Sequence, residues 1–435
     1  MVYSSSSRAN KRAVPLFRRH VAQLGGTTTL SDCLAAVRCL AQPWDWIRGP
    51  AIAQYEREFA RCVGSQYAVS FGAGRVGLYG TLRALGVGAG DEVLLQVPTH
   101  IVVPNAIRYT GAKPVYVDCH LNTYNMDLAE AAHRITPRTR VLVLQHTFGI
   151  PAELEQAIEF ADRYGLHLIE DCVHSLGATY KGRQVGTFGK AAFFSTEETK
   201  TISTTMGGVV VTNDRQLAKT IEAFRETCAW PGRWLTVRYV AKFALYHILT
   251  KPRLHRYARA AYEFLGNRQP LPTPTSGEEL RGLRPPAYEK RLSNAQAILA
   301  IRQLARLNHN LHHRRATARA YRDLLTALGY AVPPESANAN PAYVRYPIMV
   351  RDRDAALEAT APLAVLGTWF TSVLEEALSP EHGDYVAGSC PRAEFAARHL
   401  VNLPTHPRVC ASDIAALCAA LAGHVALEQD QTVVA

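Results

Sequence analysis

The chain has 435 residues, of which 48% are apolar and 20% charged, a composition that excludes a disordered or fibrous protein and predicts more than one domain. Its 48 basic and 37 acidic residues give a net charge of +11, so the surface can attract phosphorylated molecules, anionic lipid or nucleic acid. Nine cysteines without a CxxC pair argue against a disulfide framework or a metal site, and favour a cytoplasmic setting.

The first predicted elements lead to a glycine-rich turn. Residues 1–29 are basic and serine-containing but lack an apolar run, which predicts a mobile tail rather than a secretory signal. Apolar residues at helical spacing follow over Leu30–Ala41, and Tyr67–Phe71 is typical of a buried strand. The turn Gly72–Arg75 then precedes a predicted helix over Val76–Leu85. Strand, turn and helix in this order offer backbone amides to a phosphate.

From residue 92 onwards, apolar strands alternate with helices. Strands are predicted over Glu92–Val97, Pro114–Val117, Arg140–Gln145 and Leu166–Ile169. Helices are predicted over Val102–Thr110, Leu128–Ile135 and Glu153–Tyr164. The alternation predicts an α/β fold with a mostly parallel sheet flanked by helices. Ligands of such sheets bind beyond the carboxyl ends of the strands, where His100, His146, Asp171 and Lys200 are all expected.

Lys200 lies in the stretch AAFFSTEETKTISTTMGG, between two apolar runs that predict strands, Ala191–Phe194 and Val209–Val211. An amine in this place can bond covalently to an aldehyde cofactor while Ser195, five residues earlier, holds the phosphate of that cofactor. A single lysine between strands is more often a solvated loop residue. The cofactor hypothesis therefore depends on the residues that converge with Lys200.

Three residues near predicted strand ends fit the same cofactor. Asp171 can keep a pyridine nitrogen protonated, although an aspartate in this place also serves as a helix cap or a turn residue. His174 can reach the phenolic oxygen of the same ring, and His100 can stack on the face of the ring. A single histidine is more often a packed or surface residue, so the convergence of these side chains is what indicates a cofactor site.

Three long segments carry a resemblance to a known family: GAGRVGLYGTLRALGVGAGDEV, HLIEDCVHSLGATYKGRQVGTFG and FFSTEETKTISTTMGGVVVTND. In order and spacing they resemble the DegT/DnrJ/EryC1/StrS family of nucleotide-sugar aminotransferases, from about Ile47 to the C terminus. The resemblance implies a fold-type I pyridoxal-phosphate transferase with a smaller C-terminal α+β domain.

The resemblance also implies a reaction and an assembly. The expected donor is an amino acid, glutamate above all, and the expected acceptor is a keto sugar linked to a nucleotide, in amino-sugar, polysaccharide or glycoside biosynthesis. The family's active form is a homodimer. Two alternatives remain: a binding protein of this fold without catalysis, and an aminotransferase for a cyclitol or another non-nucleotide ketone.

Carried over position by position, the resemblance implies a role for each site residue. Lys200 matches the lysine that bonds to pyridoxal 5′-phosphate and moves protons, and Asp171 matches the carboxylate at the pyridine nitrogen. His174 falls near the phenolic oxygen, and His100 falls where many relatives place an aromatic ring on the cofactor. Ser195 matches the hydroxyl that binds the phosphate, and Gly74 and Arg75 match the residues whose backbone amides surround it.

The chain also departs from the family pattern. Arg75 stands where a small residue is usual. Glu289 replaces an asparagine between Tyr288 and Arg291, in a motif that reaches the neighbouring subunit's site in relatives. Because an acid repels phosphate, Glu289 is assigned no cofactor role.

Residues 228–286 form an insertion that most relatives have in shorter form. No acidic residue lies between Glu226 and Glu263, and basic residues alternate with aromatic ones. The composition predicts helices outside the catalytic core, packed on the large domain or a dimer partner, or else touching anionic lipid at the inner membrane surface through residues 230–262. No motif supports nucleic-acid binding. The implied domains are a large domain over 30–227, the insertion, and a small domain over 287–435.

Overall fold

A computed structural model describes residues 19–23, 26–264 and 275–424 of the protein. Its strands are β1 (Tyr67–Phe71), β2 (Glu92–Gln96), β3 (Thr99–His100), β4 (Lys113–Val117), β5 (Thr139–Gln145), β6 (His167–Asp171), β7 (Thr179–Tyr180), β8 (Arg183–Gln184), β9 (Ala191–Ser195), β10 (Gly208–Thr212), β11 (Ala339–Asn340), β12 (Arg345–Met349), β13 (Leu374–Glu375) and β14 (Leu400–Pro404). Its helices are α1 (Leu30–Leu40), α2 (Ala51–Val63), α3 (Gly74–Ala84), α4 (Val102–Arg108), α5 (Leu128–His133), α6 (Leu154–Tyr164), α7 (Arg215–Thr227), α8 (Arg233–Leu249), α9 (His255–Phe264), α10 (Asn294–Leu304), α11 (Leu307–Ala327), α12 (Arg353–Thr360), α13 (Pro391–His399) and α14 (Ala411–Leu421).

A seven-stranded sheet with the order β1-β10-β9-β6-β5-β2-β4 lies at the centre. The strands from β9 to β4 pair in parallel, whereas β10 is antiparallel to both β9 and β1. A loop without a crossover helix joins β9 to β10, and such a connection suits antiparallel neighbours. The mostly parallel α/β sheet predicted from the sequence is confirmed.

Successive side chains of a central strand enter two different cores. Leu142 and Leu144 of β5 pack with α2, α6 and α10, whereas Val141 and Val143 pack with α3, α4 and α7. Helices therefore cover both faces of the sheet, which explains why β2, EVLLQ, is buried along its whole length.

A smaller unit near the C terminus has its own core. Strands β12 and β14 pair antiparallel, and Tyr321 of α11, Tyr346 of β12 and Leu417 of α14 belong to one buried cluster. The predicted small α+β unit is confirmed. Helix α10 falls within the range 287–435 expected for the small domain, but it packs against α2 in the core of the large sheet. The domain boundaries themselves remain a prediction.

Two further predictions concern the N-terminal segment and the insertion. Residues 1–18 of the predicted tail lie outside the described residues, but His20 and Val21 are buried, and Val21 forms a bridge with Ala364. The prediction of a mobile tail up to residue 29 is therefore wrong for His20 and Val21, because this segment packs on the small unit. The insertion contains α8 and α9, and among the described residues no helix is long and apolar enough to cross a membrane.

Candidate active site

A cavity of about 860 Å³ lies at the carboxyl ends of the parallel strands. Asp171 is the last residue of β6, Ser195 is the last residue of β9, and Lys200 follows in the loop to β10. The fold brings every site residue predicted from the sequence to this cavity, whose lining includes Gly74, Arg75, His100, Asp171, His174, Ser195 and Lys200.

Asp171 is 1% exposed and only half satisfied. Its Oδ1 accepts a hydrogen bond of 3.1 Å from the Val173 amide, whereas its buried Oδ2 has no hydrogen-bond partner among the described residues. Burial raises the pKa of Asp171 to about 6, against the opposing charge of Lys200. A buried carboxylate oxygen without a donor is costly, so this atom fits a cationic N–H donor supplied by a ligand.

Lys200 is half-buried, with its Nζ 4.2 Å from the ring centroid of Trp369. Burial lowers the pKa of Lys200 to about 8; the carboxylate of Glu197 opposes this shift and the guanidinium of Arg345 adds to it. The neutral amine, which is the nucleophilic form, is therefore far more populated at neutral pH than for an exposed lysine.

The N-terminus of α3 makes close contact with the ends of β9 and β10, the two strands that flank the loop of Lys200. A Cβ at Gly74 would lie 2.9 Å from the Phe194 carbonyl oxygen, and a Cβ at Gly208 would lie 2.3 Å from the Gly74 nitrogen. Both glycines are therefore needed for the backbone of this helix end to reach Ser195. Free amides and the helix dipole make such an end an anion site.

The side chain of Arg75 is engaged elsewhere, and this leaves the phosphate contact implied for this position to the backbone amide, as expected. Its Nε lies 2.8 Å from Glu279, and its carbonyl accepts a hydrogen bond of 3.1 Å from the Tyr288 hydroxyl. The backbone amide of Arg75, rather than its guanidinium, is thus the group that fits a phosphate. Tyr288, expected to reach a partner subunit, contacts its own chain here.

The two predicted histidines are held differently. His174 is buried and stacks on Trp369 with ring centroids 4.7 Å apart, and its Nδ1 accepts a hydrogen bond of 3.3 Å from the Phe148 amide. Burial lowers the pKa of His174 well below its usual range, so the ring is neutral and carries its proton on Nε2. His100 is partly exposed, and its Nε2 lies 3.2 Å from Glu376.

Arg345 and Trp369 of the small unit also line the cavity, although they are not among the site residues predicted from the sequence. Arg345 on β12 is 4% exposed, and its guanidinium lies 3.6 Å from the ring centroid of Trp369. Trp369 thus stands between Arg345, Lys200 and His174. Burial lowers the pKa of Arg345 to about 10, at which it is still a cation at neutral pH. An arginine in the otherwise apolar strand RYPIM was the signal available in the sequence.

The insertion also forms part of the cavity wall. Its lining residues are Tyr246, Leu249, Thr250, His255, Ala258, Arg259, Ala261 and Tyr262. The prediction that these helices lie outside the catalytic core is wrong, and membrane contact through residues 230–262 has no support. The acidic partner of this acid-free segment lies in the lysine loop: Glu198 is 2.7 Å from Lys242 Nζ and accepts a hydrogen bond of 3.4 Å from the Tyr246 hydroxyl.

His146, Glu170 and Cys172 form a buried group whose residues do not line the cavity. Glu170 accepts hydrogen bonds from the amides of Gly186, Phe188 and Gly189 and lies 3.2 Å from His146. Its oxygens are therefore occupied by the turn after β8, which indicates a structural role.

Comparison with known proteins identifies the family of this chain. Residues 29–422 match the family model of the DegT/DnrJ/EryC1/StrS aminotransferases. The chain belongs to this family. Its members are aminotransferases, and the fold that they share depends on pyridoxal phosphate in general.

Individual relatives match to different extents. GDP-perosamine synthase of Escherichia coli O157:H7 is 41% identical over 179 residues, which cover 41% of this chain and 49% of that protein. The dTDP-3-amino-3,4,6-trideoxy-alpha-D-glucose transaminase of Streptomyces venezuelae is 29% identical over 93% of this chain and 94% of that protein. The solved structure of S. venezuelae DesV superposes with a TM-score of 0.71 at 28% identity, covering 90% of this chain and 94% of that one.

Proposed function

We propose that the protein is a pyridoxal-phosphate aminotransferase that moves an amino group from an amino acid, with glutamate the expected donor, to a nucleotide-linked keto sugar. The observation that carries the proposal is the buried, unpartnered Oδ2 of Asp171 in the same cavity as the low-pKa amine of Lys200. The Asp171 oxygen suits a pyridinium N–H donor, and the Lys200 amine suits an aldehyde.

The residues of the cavity fit this cofactor at each of its polar groups. The amides at the start of α3 and the Ser195 hydroxyl would hold the phosphate, and Asp171 would hold the ring nitrogen. His174, with its proton on Nε2, would donate to the phenolic oxygen. His100 remains proposed as the ring-face contact, because it lines the same cavity as Asp171 and Lys200.

When bound, the cofactor supplies an aldehyde carbon and a ring that withdraws electrons from the substrate carbon. The protein supplies the proton transfers. Lys200 Nζ takes a proton from the donor carbon and returns one at the acceptor carbon, which requires an amine with a pKa near the working pH. The pKa of about 8 meets that requirement.

Two substrates must use the cavity in turn. The buried guanidinium of Arg345, held against Trp369 beside Lys200, suits the carboxylate of the amino-acid donor. A volume of about 860 Å³ exceeds the need of an amino acid and leaves room for a nucleotide-linked sugar. The names of the two relatives, a GDP-sugar synthase and a dTDP-sugar transaminase, support this acceptor class.

We further propose a homodimer in the cytoplasm. All nine cysteines are free thiols, which supports a reducing compartment. The dimer is supported by the resemblance to the family. The Tyr288 hydroxyl adds no support, because it donates to the Arg75 carbonyl of its own chain. Sedimentation of the active enzyme tests it, and a fully active monomer would contradict it.

Two half-reactions test the function. Glutamate should convert the yellow, cofactor-loaded protein to a form that absorbs in the near ultraviolet, and a GDP- or dTDP-linked keto sugar should restore the original spectrum. If glutamate converts the protein but only a free cyclitol ketone restores the original spectrum, the acceptor is a cyclitol and not a nucleotide-linked sugar. No conversion by any amino acid would refute the proposal.

A further inference from the structure

The chain immediately before Gln23 is fixed to the small unit by backbone contacts. The amide of Val21 donates a hydrogen bond of 2.9 Å to the Leu363 carbonyl, and the Ala22 carbonyl lies 2.7 Å from Nε2 of His406. The next side chain, that of Gln23, lines the cavity. The place of this side chain in the cavity is therefore set by the backbone that leads to it.

The carboxamide of Gln23 contacts the guanidinium of Arg345 at the edge formed by its two terminal nitrogens. With the amide oxygen toward Arg345, that oxygen accepts hydrogen bonds of 2.9 Å from Nη1 and 3.1 Å from Nη2. The opposite amide orientation would set N–H donors against the donors of the guanidinium, so the oxygen is assigned to this side. A single neutral oxygen thus occupies the Nη1–Nη2 edge of Arg345.

The other contacts of the Arg345 guanidinium leave one of its edges open. Its face lies 3.6 Å from the ring centroid of Trp369, and Nη1 donates a hydrogen bond of 3.5 Å to the Asn402 side-chain oxygen. A Cβ at Gly367 would lie 2.7 Å from Nη1, so the group fills a slot that only glycine leaves free. Within the described part of the chain, no residue accepts a hydrogen bond from Nε. The Nε–Nη2 edge is therefore the one that can bind a ligand.

The acids near Arg345 are engaged by threonines. The charges of Glu197 and Glu375 oppose the lowering of the Arg345 pKa by burial, but neither forms an ion pair with it among the described residues. Glu197 accepts hydrogen bonds from the amide and hydroxyl of Thr199, at 3.0 and 2.5 Å. Glu375 accepts them from the amide and hydroxyl of Thr371, at 2.5 and 2.9 Å. A buried cation whose direct partners are neutral favours an anion that a ligand brings.

We propose that Gln23 is a positioning residue of the donor site, which holds Arg345 by the Nη1–Nη2 edge and turns the Nε–Nη2 edge toward a carboxylate of the donor. This inference rests on the proposed function and deepens it, because it gives the donor site a residue of the N-terminal segment. The amide suits this role because it orients the guanidinium without neutralising it. A glutamate at position 23 would reach the same edge but would pair with the charge that the donor needs.

Calorimetry of the cofactor-loaded enzyme with glutarate tests the proposal, since glutarate has the two carboxylates of glutamate but no amine to react. Gln23→Glu should bind glutarate about tenfold more weakly than wild type, because it neutralises Arg345. Gln23→Met, which keeps the length but loses the acceptor, should bind about threefold more weakly, because the guanidinium is no longer oriented. Gln156→Glu is the matched control, with the same charge change at an exposed position of α6, and should bind as wild type does.

The sign of the Gln23→Met effect separates positioning from obstruction. If this variant binds glutarate more tightly than wild type, Gln23 is a plug that the donor displaces, and the inference is overturned. Equal affinities of Gln23→Met, Gln23→Glu and wild type, or no glutarate binding by wild type, overturn it as well. Thermal unfolding and the visible absorbance of the bound cofactor, measured on every variant, show that each is folded and loaded.

The glutamate half-reaction separates this inference from the proposed function. Gln23→Met should raise the glutamate concentration that gives half the maximal rate about threefold and leave the maximal rate unchanged, since Lys200 and Asp171 are untouched. A fall in the maximal rate alone would mean that Gln23 only supports the fold, against the inference. If wild type reacts with no amino acid, the function is refuted, although glutarate binding that depends on Gln23 would keep the carboxylate site. A normal glutamate reaction with glutarate binding independent of Gln23 refutes only the role of Gln23.

Discussion

The cavity has two walls that are built on different physical principles. The wall that carries Asp171 and Ser195 ends two fully paired strands, in a register that sets Asp171 opposite Phe193 and Ser195 opposite Gly208. The wall formed by α8 and α9 is packed less deeply: α8 is held by the buried Val240 and Phe243 and by polar contacts such as Lys242 with Glu198, and no described side chain of α9 is buried. The residues proposed for the chemistry thus stand at the ends of rigid, fully paired strands, as a site that needs a fixed geometry requires.

Replacing Lys200 by alanine should reduce activity more than any other change, and it should leave the contacts of the insertion wall unaffected. Transamination should drop at least about a thousandfold, since the variant loses both the covalent link and a proton transfer worth about 10²–10⁴-fold. Cofactor should still bind through the phosphate contacts. Borohydride trapping in wild type, followed by peptide mapping, should find the label on Lys200; a label on Lys242 or Lys251 would move the site to the insertion wall.

The pH dependence of cofactor capture also tests whether Lys200 is the residue that bonds to the cofactor. Burial lowers the pKa of Lys200 from 10.5 to about 8, so the reactive neutral amine appears as pH rises through about 8. The rate at which cofactor-free protein captures pyridoxal phosphate, followed by visible absorbance, should rise with a midpoint near pH 8. A midpoint near 10.5 would mean that Lys200 is a solvated loop residue.

Asp171→Asn should have the next largest effect. Asparagine cannot supply the negative charge that keeps a ring nitrogen protonated, so the single-turnover rate with glutamate should fall about a hundredfold. Cofactor affinity should change far less, because the phosphate contacts remain. A glutamate rate near wild type would show that Asp171 only caps the turn at Val173, through its other oxygen.

The same difference between the walls explains what the sequence could predict. The strand at Tyr67–Phe71, the helix starting at Leu30 and the residues at strand ends follow from local apolar patterns and from the rule that ligands bind at carboxyl ends of strands. Arg345 and Trp369 come from the small unit, more than a hundred residues after Lys200, so only the docking of the two units reveals them.

The sequence predicts the insertion outside the catalytic core, whereas the structure places it in the cavity wall, for a related reason. A run of basic and aromatic residues without acids has the composition of a surface-binding helix, and composition does not include the partner. That partner, Glu198, lies in the lysine loop, 44 residues before Lys242 along the chain. The charge of Lys242 is therefore matched by a contact that no local pattern in the sequence contains.

Lys242→Met tests whether this polar contact holds the insertion wall, and its effect should be the smallest. Burial raises the pKa of Glu198 to about 7, with the charge of Glu197 adding to the shift and Lys242 and the Tyr246 hydroxyl opposing it. A carboxyl whose pKa is raised above its unfolded value of 4.5 costs stability as pH rises through the folded pKa, and none below the unfolded value. Removing the ammonium raises the folded pKa further and increases that cost.

Thermal unfolding of Lys242→Met should therefore show a loss of about 1–3 kcal/mol at pH 8 and little loss at pH 5, where Glu198 is protonated in the folded state. Arg238→Met, an exposed cation on the same helix, should cost little at either pH. Adding Glu198→Gln to Lys242→Met should remove most of the pH dependence, since no buried carboxylate is left to neutralise. A loss that is equal at both pH values would mean that Lys242 acts through its aliphatic packing, and that the insertion wall, like the sheet wall, is held by apolar contacts.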